Sequence, residues 1–222
     1  MKLQIIFISA LLPVLAGAQV DPQIRLKNNV FKIAPQQFRV KSLKIGLEHI
    51  NSHHTRSYSV YAIVRKEKNN QLEFPVGYDG LGGEFSYKIY LKPIGEYSTR
   101  KGKSFIQGIY VSGFVQGHSF SGDEHYRYVD FNTNTNQPIV TNYEIHESVA
   151  NWGTGFTIGI QQVFWQILTV DAFVGGGIQW SDVIRTGNEP PQNLYVSPSY
   201  SRDDPRFNGI LPKVGVQLGV ML

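Results

Sequence analysis

The chain of 222 residues contains no cysteine. That excludes disulfides, thiolate metal centres and a lipid anchor through an N-terminal cysteine. No segment approaches the ~18 consecutive apolar residues that a membrane-crossing helix needs. There is no glycine-rich phosphate loop and no dinucleotide fingerprint, so no cofactor is expected. An excess of charge is also missing. The formal net charge is +4, and the cations are dispersed apart from Arg25, Lys27, Lys32, Arg39, Lys41 and Lys44 near the start. An exported chain seldom meets nucleic acid, and none is expected as a partner.

Export is the reading of the first 18 residues. Lys2 supplies a short positive region, Leu3 to Leu15 an apolar core, and Ala16-Gly17-Ala18 a cleavage box. This is the pattern of a secretory signal, too short in its apolar part to span a bilayer. Cleavage would leave Gln19 as the first residue and take away only Lys2, giving a charge of +3. Residues 19–222 are then one domain. The 22 Gly, 12 Tyr and 13 Phe suit β-structure and interfacial aromatic belts.

The clearest pattern is the last one. Val214, Val216, Leu218, Val220 and Leu222 alternate with Gly215, Gln217, Gly219 and Met221. A period of two is a strand signal. One face is wholly aliphatic and the other small and polar, with no charge after Lys213. A soluble sheet usually offers Lys, Glu or Thr to water on its polar face. An aliphatic face toward lipid and a small polar face toward a lumen fit the closing strand of a membrane β-barrel.

Seven earlier segments carry related patterns, predicting strands near residues 27–35, 38–49, 57–64, 80–92, 105–117, 152–162 and 168–180, with the eighth from about 208. In the second, Phe38 and Val40 have one parity and Leu43, Ile45 and Leu47 the other. That needs a bulge near Lys41–Ser42 or a later strand start. In the fifth, Ile109, Val111 and Val115 share a face while Ile106, Tyr110 and Phe114 populate the other. The connections alternate in length. Those at about 50–56, 93–104 and 163–167 are short, and those at 65–79, 118–151 and 181–207 are long. Short periplasmic turns and longer extracellular loops are the outer-membrane pattern. The expected fold is therefore all-β: an eight-stranded antiparallel up-and-down transmembrane β-barrel in the cell outer membrane, with its first strand the least regular.

Several stretches together carry a resemblance. They are Lys27-Asn28-Asn29-Val30, Leu43-Lys44-Ile45-Gly46-Leu47-Glu48 followed by Ser57-Tyr58-Ser59-Val60, Gly82-Gly83-Glu84-Phe85-Ser86-Tyr87-Lys88-Ile89-Tyr90-Leu91, the glycine-rich strand Val170 to Ile178, and the C-terminal strand. With the signal segment, they resemble a family of small eight-stranded outer-membrane β-barrels of Gram-negative bacteria, of the domain-of-unknown-function type. The chain departs from many outer-membrane proteins in ending on Leu222 rather than Phe or Trp. The resemblance implies a barrel, outer-membrane lipid around it and the barrel-assembly machinery as a partner during insertion. It implies no reaction.

Glu48, Glu84, Lys88 and Asp171 fall on the lumenal faces of their predicted strands, with Lys44 able to pair with them. An eight-stranded barrel is just wide enough to be filled by side chains. Charges buried there must pair, so a salt-bridge network that plugs the lumen is expected ahead of an ion or proton path. His146-Glu147-Ser148 is the sharpest catalytic pattern, a His base beside a Ser nucleophile. It is similar to lipid A deacylases, whose Arg-His-x-Ser-Asn pattern is broken here by Ile145. His53-His54 in a turn, and His118 and His125 with Asp123 and Glu124, are the residues that could meet a cation, though solvated turns explain them as well. Tyr87, Tyr90, Tyr97, Trp152, Trp165 and Trp180 lie near strand ends, as an interfacial girdle would.

Four functions compete. A structural or surface-interaction barrel would use residues 118–151 and 181–207 to meet an extracellular ligand or protein. A lipid-modifying enzyme would use His146 and Ser148. A very small pore would need an open lumen. A soluble lipocalin-like barrel would need charges on the polar faces of its last three strands. Those faces carry Gly, Thr and Gln, with Asp171 as their acid.

Overall fold

A sheet that closes on itself leaves no edge strand with unpaired backbone groups, and closure is what the strand pairing achieves here. In the computed structural model, residues 28–66, 77–92, 106–131, 138–165, 167–187 and 206–222 are described. The strands are β1 Asn29–Ile33, β2 Ser42–Ile50, β3 Arg56–Arg65, β4 Gly77–Lys92, β5 Ile106–Phe131, β6 Pro138–Phe164, β7 Leu168–Gly187 and β8 Gly209–Met221. Each pairs antiparallel with its neighbours in sequence, and β8 pairs back onto β1, through Val30↔Met221 to Ile33↔Leu218. The fold is all-β, eight antiparallel strands in one ring-like sheet. The expected signal segment lies outside the described residues.

Three expectations need correction. Residues 38–41 are not strand. Pro35–Val40 forms a 3-10 turn that ends on Lys41 in the left-handed region, φ 53°. Pro35 suits the first position, where its fixed φ helps and its missing N–H is no loss. β2 therefore begins at Ser42, and the later start accounts for the change of parity without a bulge.

The second correction is larger. Residues 118–151 were expected as a loop. Residues 118–131 and 138–151 are instead the upper parts of β5 and β6, which stay paired as far as Phe131↔Pro138. β7 likewise continues to Gly187 and pairs with β6 up to Ile145. The period of two persists in this region, but its outward face is polar. Phe120, Ile145 and Val149 point inward and are buried, while Ser119, Ser121, Asp123, His146 and Ser148 are exposed. Polar composition hides a strand whose outer face meets water.

The faces of the ring are inverted relative to a soluble sandwich. Outside stand Val60, Leu81, Phe85, Phe156, Ile158, Val174, Val214 and their neighbours, with Val214 74% exposed. Inside are Lys32, Glu48, Ser59, Lys88, Gln161, Thr169 and Asp171, all buried. Tyr61, Tyr110 and Phe114 fill the space between them. The fifth strand, ambiguous in sequence, thus turns Tyr110 and Phe114 inward and Ile109 and Val115 outward. Tyr90 also corrects an expectation: it points into the ring and is buried, not part of an outer girdle. Tyr97 lies outside the described residues.

Large inward rings need space, which glycine on the adjacent strand provides. A Cβ on Gly46 would lie 2.3 Å from the Tyr61 ring and 2.5 Å from the Val60 carbonyl. A Cβ on Gly159 would lie 2.4 Å from the Tyr110 hydroxyl. Gly83, on the outer face, has nothing nearer than 3.6 Å. Gly46→Ala should therefore lower stability by about 1–3 kcal/mol through overpacking, while Gly83→Ala should leave it nearly unchanged. Urea unfolding of both variants checks this, and equal losses would contradict the packing argument.

Candidate functional site

Inside the ring, ionic groups are stacked in three layers. The lowest draws on β1, β2, β4 and β7. Lys32 Nζ lies 2.5 Å from Glu48 Oε2 and 2.7 Å from Asp171 Oδ2. Lys88 Nζ lies 2.9 Å from Glu48 Oε1 and 2.5 Å from the same Asp171 oxygen. Both carboxylates accept further hydrogen bonds: Glu48 from Ser57 Oγ at 2.6 Å, and Asp171 from the Tyr110 hydroxyl at 2.6 Å. Gln161 Oε1 accepts from both ammonium groups at 3.2 Å and from the Tyr90 hydroxyl at 3.0 Å. Two cations meet two anions, and the lone pairs are largely used.

The middle layer is built around Glu84 on β4. Its Oε2 accepts from Lys44 Nζ at 2.5 Å and from Lys213 Nζ at 2.7 Å. Lys44 also sits 4.5 Å above the Tyr61 ring, and Lys213 sits 3.4 Å from the centre of the Phe114 ring. Such cation–aromatic contacts partly replace lost hydration. The Tyr61 hydroxyl donates to Gln217 Oε1 at 2.7 Å, joining β3 to β8 across the interior.

The upper layer centres on Glu147 of β6, which is fully buried. Arg185 Nε donates to its Oε1 at 2.6 Å, and Arg206 Nη1 donates to its Oε2 at 3.1 Å. The Tyr78 hydroxyl donates to the same Oε2. Around this layer Tyr78, Phe120 and Val149 form a small apolar cluster.

The residues singled out from the sequence separate as follows. Glu48, Lys88 and Asp171 come together in one layer, and Glu84 and Lys44 in the next. Lys32, Lys213, Gln161, Tyr110 and the whole Glu147 layer did not emerge from sequence reading. Lys32 stands in the weakly patterned Val30–Ala34, but Val30, Lys32 and Ala34 share a parity and all three are buried. Glu147 was hidden between the two residues of the catalytic candidate.

His146 and Ser148 lie on β6, not in a loop, and face outward. The His146 ring pairs with Asp123 across the strand pair, Nδ1 to Oδ1 at 2.6 Å, and both side chains are more than half exposed. Residues two apart on a strand stand about 6.6 Å apart along it, and Ser148 shares the outer face of β6 with His146. Of the other histidines, His118 Nδ1 pairs with Asn151 Oδ1 at 2.8 Å. His54 sits half-buried in the turn after β2; its burial, then the neighbouring His53, lowers its pKa. The side chains of Glu124 and His125 lie outside the described residues. Among the described residues no three His, Asp or Glu side chains converge as metal ligands would.

What this arrangement does chemically is pair the buried charges and tie strands together across the interior. Removing one member of a buried ion pair leaves an uncompensated charge and costs about 3–5 kcal/mol. Lys32→Met and Asp171→Leu should each produce a loss of that order, and the double variant should lose less than the sum by at least about 1 kcal/mol. Additive losses in urea titrations would show that the two groups do not act as a pair. Comparison with family models, with curated proteins and with solved structures gave no match, so the role of this interior is read from its own geometry.

Proposed function

We propose that the protein is an eight-stranded β-barrel of a Gram-negative outer membrane, exported by its first 18 residues. Its lumen is plugged, and its role is structural or one of surface interaction. It resembles the small outer-membrane barrels of the domain-of-unknown-function type. The observation that carries the reading is the inverted polarity of the ring: ion pairs inside, aliphatic side chains outside. In water that outer surface would be a contiguous apolar patch far larger than a soluble monomer tolerates. In lipid it is the expected surface.

The height of the apolar zone supports the same conclusion. On β4 it runs from Leu81 to Leu91, on β6 from Trp152 to Ile160 and on β7 from Val170 to Trp180. Those spans match the ~9–11 residues of a tilted strand crossing a bilayer. Trp152 and Trp180 are direct partners at the upper edge, and both are about half exposed or more. Above them the outward residues Ser148, His146 and Asp182 are polar, with Ile184 an exposed exception. Trp165 is exposed in the lower turn. Indoles at both limits of an apolar band are where membrane interfaces place them.

β5 and β6, with 26 and 27 residues, are more than twice the membrane-crossing length. The excess forms a paired ribbon standing above the band. With residues 181–207, it provides the surface for an extracellular ligand or protein partner.

The test is cell fractionation combined with heat-modifiable gel mobility. The protein should sediment with outer membranes and migrate faster unheated than boiled. Val214→Lys, which puts a charge on the lipid face, should reduce folded stability in bilayers by up to about 2–4 kcal/mol. A protein recovered soluble from the periplasm would overturn the barrel's membrane assignment.

A lipid-modifying enzyme is the competing reading. Its specific support is the Asp123–His146 pair, which leaves His146 Nε2 as the ring nitrogen available to a nucleophile. Ser148→Ala should leave the acyl composition of lipid A unchanged by mass spectrometry. A lost or gained acyl chain would favour the enzyme.

A further inference from the structure

The lower two ionic layers differ in their charge balance. In the lowest, Lys32 and Lys88 face Glu48 and Asp171, and the charges cancel. In the middle one, Lys44 and Lys213 share the single carboxylate of Glu84. One positive charge is therefore left over in the interior. Unbalanced charge away from water is costly and calls for a counter-charge.

Between these layers lies a cavity of about 20 Å³. Lys88 borders it from below, and Glu84 and Lys213 from above. Ser86, Thr157 and Gln217 also line it, each more than nine-tenths buried. Gln217 spends its carbonyl oxygen on the Tyr61 hydroxyl, so its amide nitrogen remains to donate. Among the described residues, neither this nitrogen nor the Ser86 and Thr157 hydroxyls meet a protein acceptor. These groups line the space, so an acceptor placed in it can take their hydrogen bonds. The space suffices for about one water or an ion of similar size.

We propose that this cavity is a binding site for a small monovalent anion of chloride size. The anion accepts hydrogen bonds from Ser86, Thr157 and Gln217, and its charge balances the second ammonium of the Lys44–Lys213 pair. Water would fill the same volume and supply acceptors, but it would leave the net charge in place. Multi-atom anions such as phosphate are too large. The site stands on the interior alone and does not depend on the barrel lying in a membrane.

The test uses the folded full chain in detergent micelles and its crystals grown in sodium bromide. Anomalous scattering at the bromine edge should give a peak inside the ring within reach of Lys213, Ser86 and Thr157. Lys213→Met, which removes the surplus charge, should abolish that peak. In solution, chloride replacing gluconate at constant ionic strength should raise the unfolding midpoint by about 3–6 °C per tenfold increase above the dissociation constant. Lys213→Met should flatten that dependence. Where Lys213→Met does not fold, the Ser86→Ala, Thr157→Val double variant serves, with bromide occupancy at least halved. Water density without an anomalous peak, a peak that survives these substitutions, or a midpoint indifferent to chloride would each overturn the proposal.

Discussion

Charge inside a closed sheet has nowhere to go, and the pairing of Lys32 and Lys88 with Glu48 and Asp171 is the condition on which the ring depends. The four residues come from β1, β2, β4 and β7, so the cluster ties together strands that are not all neighbours. Its importance is greatest for β1. That strand has five residues and four register partners on β8. Its backbone pairing alone is a slight hold. Lys32, its fourth residue, adds ionic contacts to β2 and β7 and a hydrogen bond to Gln161 on β6. The seam of the ring is thus held as much from the inside as along the strand edge.

The same cluster explains why the inverted polarity is sustainable. A lumen lined with ammonium and carboxylate groups would be unstable if they were scattered, since desolvation of each ion exceeds any single weak contact. Tyrosines lend hydroxyl donors to the carboxylates and ring faces to the lysines, as Tyr110 does for both Asp171 and Lys88. The glycines opposite Tyr61 and Tyr110 let those rings lie flat against the wall. Ion pairs, aromatic rings and glycines are one packing solution, which leaves the outer face to aliphatic residues.

Much of this was legible in the sequence because a period of two needs only one consistent face. The orientation of β2, β3, β4, β6, β7 and β8 followed from their aliphatic sides, and so did the inward position of Glu48, Glu84, Lys88 and Asp171. Reading failed where that signal changed its chemistry. Above Trp152 the outer residues become polar, so the continuation of β5 and β6 looked like a loop. Around Phe38 apolar residues belong to a 3-10 turn, which has no period of two. The partners of the carboxylates were harder still. Nothing local in Val30–Ala34 says that Lys32 will meet Asp171, because that contact joins residues 139 apart in the chain and forms across the interior of the ring.

That separation has a kinetic meaning. Seven of the eight strand pairings link strands adjacent in sequence order. The eighth, β1 to β8, must bring together residues as far apart as Val30 and Met221. The entropy of closing so long a loop falls entirely on the shortest strand of the sheet. Seven strands can assemble as an open, curling meander before the last joint is made, and the hinge line of that meander is already written in the five residues of β1.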